Sequence, residues 1–192
     1  FDNIDPDEDE KTLQIMNECF ISLSSITDTC NGAVQNMLMD DKGCVFISVF
    51  GATSSELNSC FDATMCAMRM QKALMDLQLK RFSLGVSYGD CFCGEFGPPS
   101  RSDFFVMGAE VNMAARLKGK APNHGILVSE HVYNNAKEDI LFNETSEKIK
   151  VKGKKDPFYA YIPVSRQRKS RKMKSNIEID AVKGEKQSFI VM

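Results

Sequence analysis

The first half of the chain carries apolar residues at helical spacing in two places, with two extended apolar runs between them. One set predicts a first helix over about 11–29: Leu13, Met16, Phe20, Leu23 and Ile26. A second set predicts a helix over about 56–79: Ala63, Cys66, Ala67, Met70, Leu74 and Leu77. The runs 34–39 and 44–50 flank the polar turn 40–43, whose Asp and Gly residues tolerate tight-turn angles, so they predict a hairpin.

Shorter elements follow in the second half of the chain. Apolar stretches bounded by turn residues predict six strands: 82–88, 91–96, 103–107, 126–128, 147–151 and 158–162. Residues 110–117 predict a short helix after Gly108, and Ser129 is placed to cap a helix that reaches about Ala136. This order of strands and helices indicates the α/β (α+β) class, as a ferredoxin-like α/β sandwich with additions.

Composition narrows the class of protein. Hydrophobic residues make up 43% of the 192 residues and charged residues 26%, as in a soluble globular protein. No apolar run approaches the roughly 18 residues that a membrane span needs, so we expect no transmembrane segment. Seven cysteines are an odd number and no signal peptide precedes them, which predicts a reducing, cytoplasmic location.

The composition changes abruptly near the end of the chain. Six of the nine residues 166–174 are Lys or Arg and almost none is apolar, so we interpret 164–183 as a basic linker between domains. The alternative is that this segment contacts a phosphate-rich partner such as membrane lipid or nucleic acid. The chain becomes apolar again at 189–192, and residues 184–192 are expected to begin a further domain.

Candidate chemistry is concentrated at the predicted helix 110–117. If that segment is helical, Asn112 and Arg116 lie at i and i+4 on one face, within reach of a shared ligand. An Arg fork beside an amide suits a ligand with a phosphate and a sugar. On chemistry alone, however, such a pair is more often part of a solvated helix face.

Three separated motifs support the ligand-binding interpretation. The first motif is the signature around Asn112 and Arg116. The second is the run 41–51, which begins Asp-Lys-Gly-Cys-Val-Phe. The third consists of two short runs later in the chain, 151–154 and 158–161. Together they resemble the class III adenylyl and guanylyl cyclases, with the nearest likeness to the second cyclase domain of the soluble, bicarbonate-responsive adenylyl cyclases. The resemblance covers about 1–162, so a cyclase domain is expected over 1–163. In those soluble cyclases an NTPase-like module follows, which is the further domain expected from 184.

The resemblance also implies roles for individual residues. Asn112 would orient the ribose and Arg116 would stabilise the α-phosphate in the transition state. Lys152 would hold the β- and γ-phosphates, and Lys42 would recognise adenine. Without the resemblance both lysines are interpreted as solvent-exposed. Phe105 stands where adenylyl cyclases usually place a hydrogen-bonding Asp or Thr, and Phe can stack on a purine but cannot accept its amino proton.

The metal side of the site departs from the family pattern. In that family two domains pair head to tail, and one half supplies two aspartates for Mg²⁺ or Mn²⁺. Asn3 and Cys44 occupy those two places here, so we expect no metal ligand in this chain and a metal-binding partner half. A shift of one or two residues would instead recruit a nearby carboxylate, from Asp2, Asp5, Asp40 or Asp41.

These expectations favour one function over two others. The leading hypothesis is the nucleotide-binding half of an adenylyl cyclase that converts ATP to cyclic AMP and pyrophosphate with a second cyclase domain. The alternative is a catalytically silent cyclase domain kept for dimerisation and regulation, which Phe105 favours. An unrelated sandwich that binds nucleic acid is disfavoured, because no strand interleaves aromatic and basic residues.

Overall fold

A computed structural model of the chain describes residues 9–40, 43–51, 59–98, 100, 103–145, 159–167 and 187–191. This part of the chain contains four helices: α1 (Asp9–Thr29), α2 (Ser59–Asp76), α3 (Ala109–Lys120) and α4 (Glu130–Ala136). Ser129 caps α4 as predicted, because its hydroxyl accepts a hydrogen bond from the backbone amide of Val132. Each of the four helices was expected from the sequence, and their bounds differ by a few residues.

Nine strands lie in the described ranges: β1 (Gly32–Asp40), β2 (Gly43–Phe50), β3 (Leu84–Asp90), β4 (Phe92–Phe96), β5 (Asp103–Met107), β6 (Ile126–Val128), β7 (Ile140–Glu144), β8 (Tyr161–Arg166) and β9 (Gln187–Val191). Within those ranges seven strands form one sheet, in the order β1-β2-β9-β3-β6-β8-β7, while β4 and β5 pair as a separate hairpin. The predicted α/β sandwich is therefore confirmed.

Alternation along the strands divides the core between the two faces of the large sheet. Phe46 and Phe50 of β2 join the main cluster, which also contains residues of α1, α2 and α4. Ile47 and Val49 point to the opposite face and pack with Ala114 of α3. Cys91, just before β4, and Val106 of β5 belong to the same cluster. Three helices therefore cover one face, and α3 with the hairpin covers the other.

Three features differ from the sequence predictions or lie beyond them. β7 was not expected, and it pairs with β8 at the edge of the sheet. The strand predicted at 147–151 lies outside the described residues. Gln187–Val191, where the sequence predicted the beginning of a further domain, forms a strand that pairs with β2 and β3 of the large sheet.

Candidate active site

Helix α3 lies against β3 because β3 presents a glycine where the two backbones meet. A side chain at Gly85 would run into the carbonyl oxygen of Ala114 and the backbone nitrogen of Lys118, both on α3. The neighbours of Gly85 in the strand, Leu84 and Val86, point to the opposite face and are buried. Gly85 therefore sets how closely the helix approaches the sheet.

A hydrogen bond ties the beginning of α3 to the same strand. The Ser87 hydroxyl donates to a carboxylate oxygen of Glu110, in the first turn of the helix. A carboxylate in the first turn also meets the positive end of the helix dipole. Gly85 and Ser87 are two residues apart, so both act on one face of β3 and fix the position of α3 along the strand.

The two candidate catalytic residues lie on the side of α3 away from the core. Met113, Ala114 and Leu117 are the buried residues of the helix. Asn112 is exposed and Arg116 half-buried, one turn apart on the same face, as the sequence predicted. A shared ligand could therefore contact the amide and the guanidinium together while the helix stays fixed to β3.

Two glycine-to-alanine variants test this arrangement by the same chemical change. We expect Gly85→Ala to lower the free energy of unfolding by about 1–3 kcal/mol, because its Cβ meets backbone atoms that cannot move without displacing α3. Gly119→Ala on α3 should raise it by about 0.5–1 kcal/mol, because its Cβ meets nothing within 4 Å and alanine favours the helix. Denaturant melts measure both changes. Equal stability of the two variants would contradict the close approach at Gly85.

Phe105 lies in a different part of the site. It is half-buried on β5, in edge contact with Phe96 at 5.9 Å between ring centroids. With residues of β1 it lines a pocket of about 240 Å³, whose walls are Val34, Gln35, Asn36, Phe104 and Phe105. The pairing of β1 with β2 shifts register between Val34 and Asn36, as in a β-bulge. Gln35 and Asn36, the two residues at this shift that have amide side chains, both line the pocket.

Sequence reasoning did not identify Gln35, Asn36, Gly85, Ser87 or Glu110. A glycine between two apolar strand residues was the one available signal, because it marks a close backbone approach. Lys42 and Lys152 lie outside the described residues. The structure thus places Asn112 with Arg116 on α3 and Phe105 in the β1–β5 pocket, and no described contact joins the two groups.

Cys44, at the place of a metal-binding aspartate in the family pattern, does not suit Mg²⁺. Burial raises the pKa of the Cys44 thiol above its ordinary value, so it is a neutral thiol at neutral pH. A neutral thiol is a poor ligand for a hard cation that prefers carboxylate oxygen and water. Within the described part of the chain, no group of three or more His, Cys, Asp or Glu side chains is arranged to hold a metal ion.

Comparison of the sequence with protein-family profiles identifies the family to which this site belongs. The profile of the adenylate and guanylate cyclase catalytic domain matches residues 2–163, which include β1–β7, the beginning of β8 and all four described helices. The chain belongs to this cyclase family. The match confirms the resemblance inferred from the motifs around Asn112 and Arg116.

Curated relatives of the cyclase domain are adenylate cyclases. Adenylate cyclase type 10 of Homo sapiens is 30% identical over 162 residues, which are 82% of this chain and 10% of that protein. The protein of the same name from Rattus norvegicus is 29% identical over 147 residues, covering 73% of this chain and 9% of its own length. The chain thus spans about a tenth of the length of these relatives.

Solved structures share the fold at lower identity. The adenylyl cyclase CyaB from P. aeruginosa has a TM-score of 0.72 and 24% identity, over 83% of this chain and 85% of that one. The guanylate cyclase domain of RhGC from Catenaria anguillulae, solved in complex with GTP, has a TM-score of 0.73 and 16% identity, over 83% and 86%. None of the helices that the structure describes could cross a membrane.

Proposed function

We propose that this cyclase domain is the nucleotide-binding half of an adenylyl cyclase, which forms cyclic AMP and pyrophosphate from ATP together with a second cyclase domain. The observation that carries the proposal is the Asn112–Arg116 pair, presented on one face of a helix that Gly85 and Ser87 fix to the sheet. The relatives named adenylate cyclase support ATP as the substrate. The seven free thiols suit the reducing, cytoplasmic location expected for it.

In the proposed reaction, the ribose 3′-oxygen forms a bond to the α-phosphorus while the bond from that phosphorus to the leaving pyrophosphate oxygen breaks. The hydroxyl proton passes to a water molecule as the new bond forms, and pyrophosphate leaves the site. Asn112 would hold the ribose so that its 3′-hydroxyl lies in line with the leaving group. Arg116 would donate hydrogen bonds to the α-phosphate oxygens, whose charge grows in the transition state.

Family members use Mg²⁺ or Mn²⁺ to neutralise phosphate charge, and Cys44 does not fit that role. The proposal therefore assigns metal binding to the partner half. An exposed apolar surface on the β4–β5 hairpin supports such pairing: Phe92 is 64% exposed and Phe96 68%, and Met107, opposite Phe92, is also exposed. A cluster of large apolar side chains exposed to solvent is typical of a surface that binds another protein.

Substrate choice is the first test of the proposal. In a competition between ATP and GTP at equal concentration, we expect the full-length protein to form mainly cyclic AMP. The proposed reason is that the Lys42 ammonium donates to an adenine ring nitrogen. Lys42→Gln should lower the ratio of cyclic AMP to cyclic GMP formed. Lys11→Gln is the matched control and should leave that ratio unchanged, since Lys11 is exposed on α1. A clear preference for GTP would contradict the role of Lys42.

A second candidate function is a silent cyclase domain that binds nucleotide without turnover. Phe105 favours it, because a phenyl ring in the β1–β5 pocket offers stacking but no hydrogen bond to a base. The two functions differ in a simple measurement. Nucleotide binding by the full-length protein with no cyclic product, in the presence of a competent partner and Mn²⁺, would support the silent domain.

A further inference from the structure

Two buried cysteines and an exposed arginine meet where helix α1 turns into strand β1. Cys30 is the residue after α1, and its backbone amide bonds back to the carbonyl of Thr27. Cys66 lies near the middle of α2, and Arg69 follows it by three residues, so the two side chains are neighbours on that helix. The Arg69 guanidinium donates a hydrogen bond to the Cys30 sulfur, with Nη1 3.4 Å from Sγ. The thiols of Cys30 and Cys66 are hydrogen-bonded to each other as well.

The surroundings of Cys30 favour its thiolate. The hydrogen bond from the Cys66 thiol lowers the pKa of Cys30 below its ordinary value, and the positive charge of Arg69 acts in the same direction, against the effect of burial. Cys60, on the same helix as Cys66, provides a comparison. Cys30 and Cys60 are both 4% exposed, yet burial raises the pKa of the Cys60 thiol to about 12. The two thiols therefore differ because of their neighbours and not because of exposure.

Cys66 is placed to react with Cys30 once Cys30 is oxidised. Its thiol stays protonated, because the hydrogen bond it donates to Cys30, its burial and the Cys30 charge all raise its pKa. Oxidation of Cys30 would remove the thiolate, and with it the charge and the acceptor of that hydrogen bond. Cys66 is fully buried, so its sulfur meets Cys30 and not an oxidant from solvent.

Cys30 lies close to solvent although its side chain is covered. The residues on either side of it, Thr29 and Asn31, are exposed, and so is Arg69. Asn31 has a φ of 59°, in the left-handed region, so the chain reverses here in a surface turn. Hydrogen peroxide is close to water in size and needs only a small opening beside the Arg69 side chain.

We propose that Cys30 and Cys66 form a reversible oxidation site, at which hydrogen peroxide converts the two thiols to a disulfide. In the first step the Cys30 thiolate attacks one peroxide oxygen, so an S–O bond forms and the O–O bond breaks. The hydroxide that leaves takes up from solvent the proton that Cys30 had lost. In the second step the Cys66 sulfur attacks the Cys30 sulfur, an S–S bond replaces the S–O bond, and the departing hydroxide takes up the Cys66 proton. The two sulfurs lose two electrons in total, and one peroxide is reduced to two water molecules.

The disulfide would join the turn before β1 to the middle of α2. In a reducing compartment it would be reversed by exchange with small thiols or dithiol proteins, so the pair would be oxidised only while peroxide is present. The site is independent of nucleotide turnover and can be tested whatever the cyclase activity of the chain.

Peptide mapping of the oxidised full-length protein is the test. After treatment with a small excess of hydrogen peroxide at neutral pH and blocking of the remaining thiols, we expect an intramolecular Cys30–Cys66 disulfide that dithiothreitol removes. Cys66→Ser should instead leave Cys30 as a sulfenic acid, which dimedone labels. Cys60→Ser is the matched control and should form the disulfide as the parent does.

The contribution of Arg69 is measured from rates. Arg69→Gln should slow the disulfide formation at least about fivefold, because less of Cys30 is present as thiolate. Lys72→Gln removes a charge from an exposed position on the same helix and should leave the rate within about twofold of the parent. Both side chains are exposed, so both variants should fold, which a thermal melt checks.

Exposure alone predicts a different result. Of the seven thiols, Cys44 and Cys93 are the two that are not buried, and they would then be oxidised first. Oxidation confined to these two, with Cys30 and Cys66 still reduced, would overturn the proposal, and so would a Cys30–Cys66 link found only between two chains. Equal rates for Arg69→Gln and Lys72→Gln would overturn the role of Arg69.

Discussion

Replacing Arg116 by alanine in the full-length protein should lower the rate of cyclic nucleotide formation by at least about 100-fold, or about 2.7 kcal/mol of transition-state stabilisation. The guanidinium would contact the α-phosphate most strongly when its charge is largest, so kcat should fall more than KM rises. Arg116 lies outside the buried side of α3, formed by Met113, Ala114 and Leu117, so folding should be retained. A coupled pyrophosphate assay measures the rate, and a thermal melt checks the fold.

Two further variants show whether the effect belongs to the guanidinium itself. Arg116→Lys keeps the charge but loses the two-pronged geometry, so most of the defect should remain. Lys120→Ala removes the same charge from an exposed position on the same helix and should leave the rate within about twofold of the parent. If Arg116→Ala and Lys120→Ala have the same activity, Arg116 does not act in the transition state.

The second large effect is a complete loss of turnover in the isolated chain. We expect no cyclic nucleotide from the 192-residue chain with ATP and Mg²⁺ or Mn²⁺. A triphosphate carries several negative charges that must be met during the reaction, and Cys44, kept neutral by burial, does not bring a cation to them. Mixing the chain with a cyclase domain that carries both strand-end aspartates should restore activity.

The mixture has an internal control, because the same partner mixed with the Arg116→Ala chain should stay inactive. That result would show that the restored activity uses this chain's helix and not a pair of partner domains. Activity of this chain alone, rising with its own concentration, would contradict the prediction. It would indicate that carboxylates near the hairpin, Asp40 or Asp41 with Asp2 or Asp5, bind the metal.

Local pattern predicted most of the fold, because the helices and the β1–β2 hairpin carry their information in neighbouring residues. The i, i+4 spacing also predicted the shared face of Asn112 and Arg116. The sequence of β7 gave only a weak indication of a strand. Of its five residues only Ile140 is buried, and buried and exposed positions do not alternate regularly among the others. Edge strands need little apolar periodicity, so sequence reasoning has little to detect.

The parts that were missed depend on contacts between distant segments. The pairing of Gln187–Val191 with β2 and β3 joins residues more than 90 positions apart, and nothing in so short a segment specifies its neighbours. The role of Gly85 likewise depends on where α3 packs. The β1–β5 pocket follows from a register shift beside Asn36, which no composition rule predicts.

The exposed apolar surface of the β4–β5 hairpin has a consequence for the behaviour of the isolated chain in solution. Phe92 and Phe96 are more than half exposed, and Met107, opposite Phe92, is exposed as well. Exposed apolar patches associate with one another when no partner covers them. We therefore expect the isolated chain to self-associate as its concentration rises.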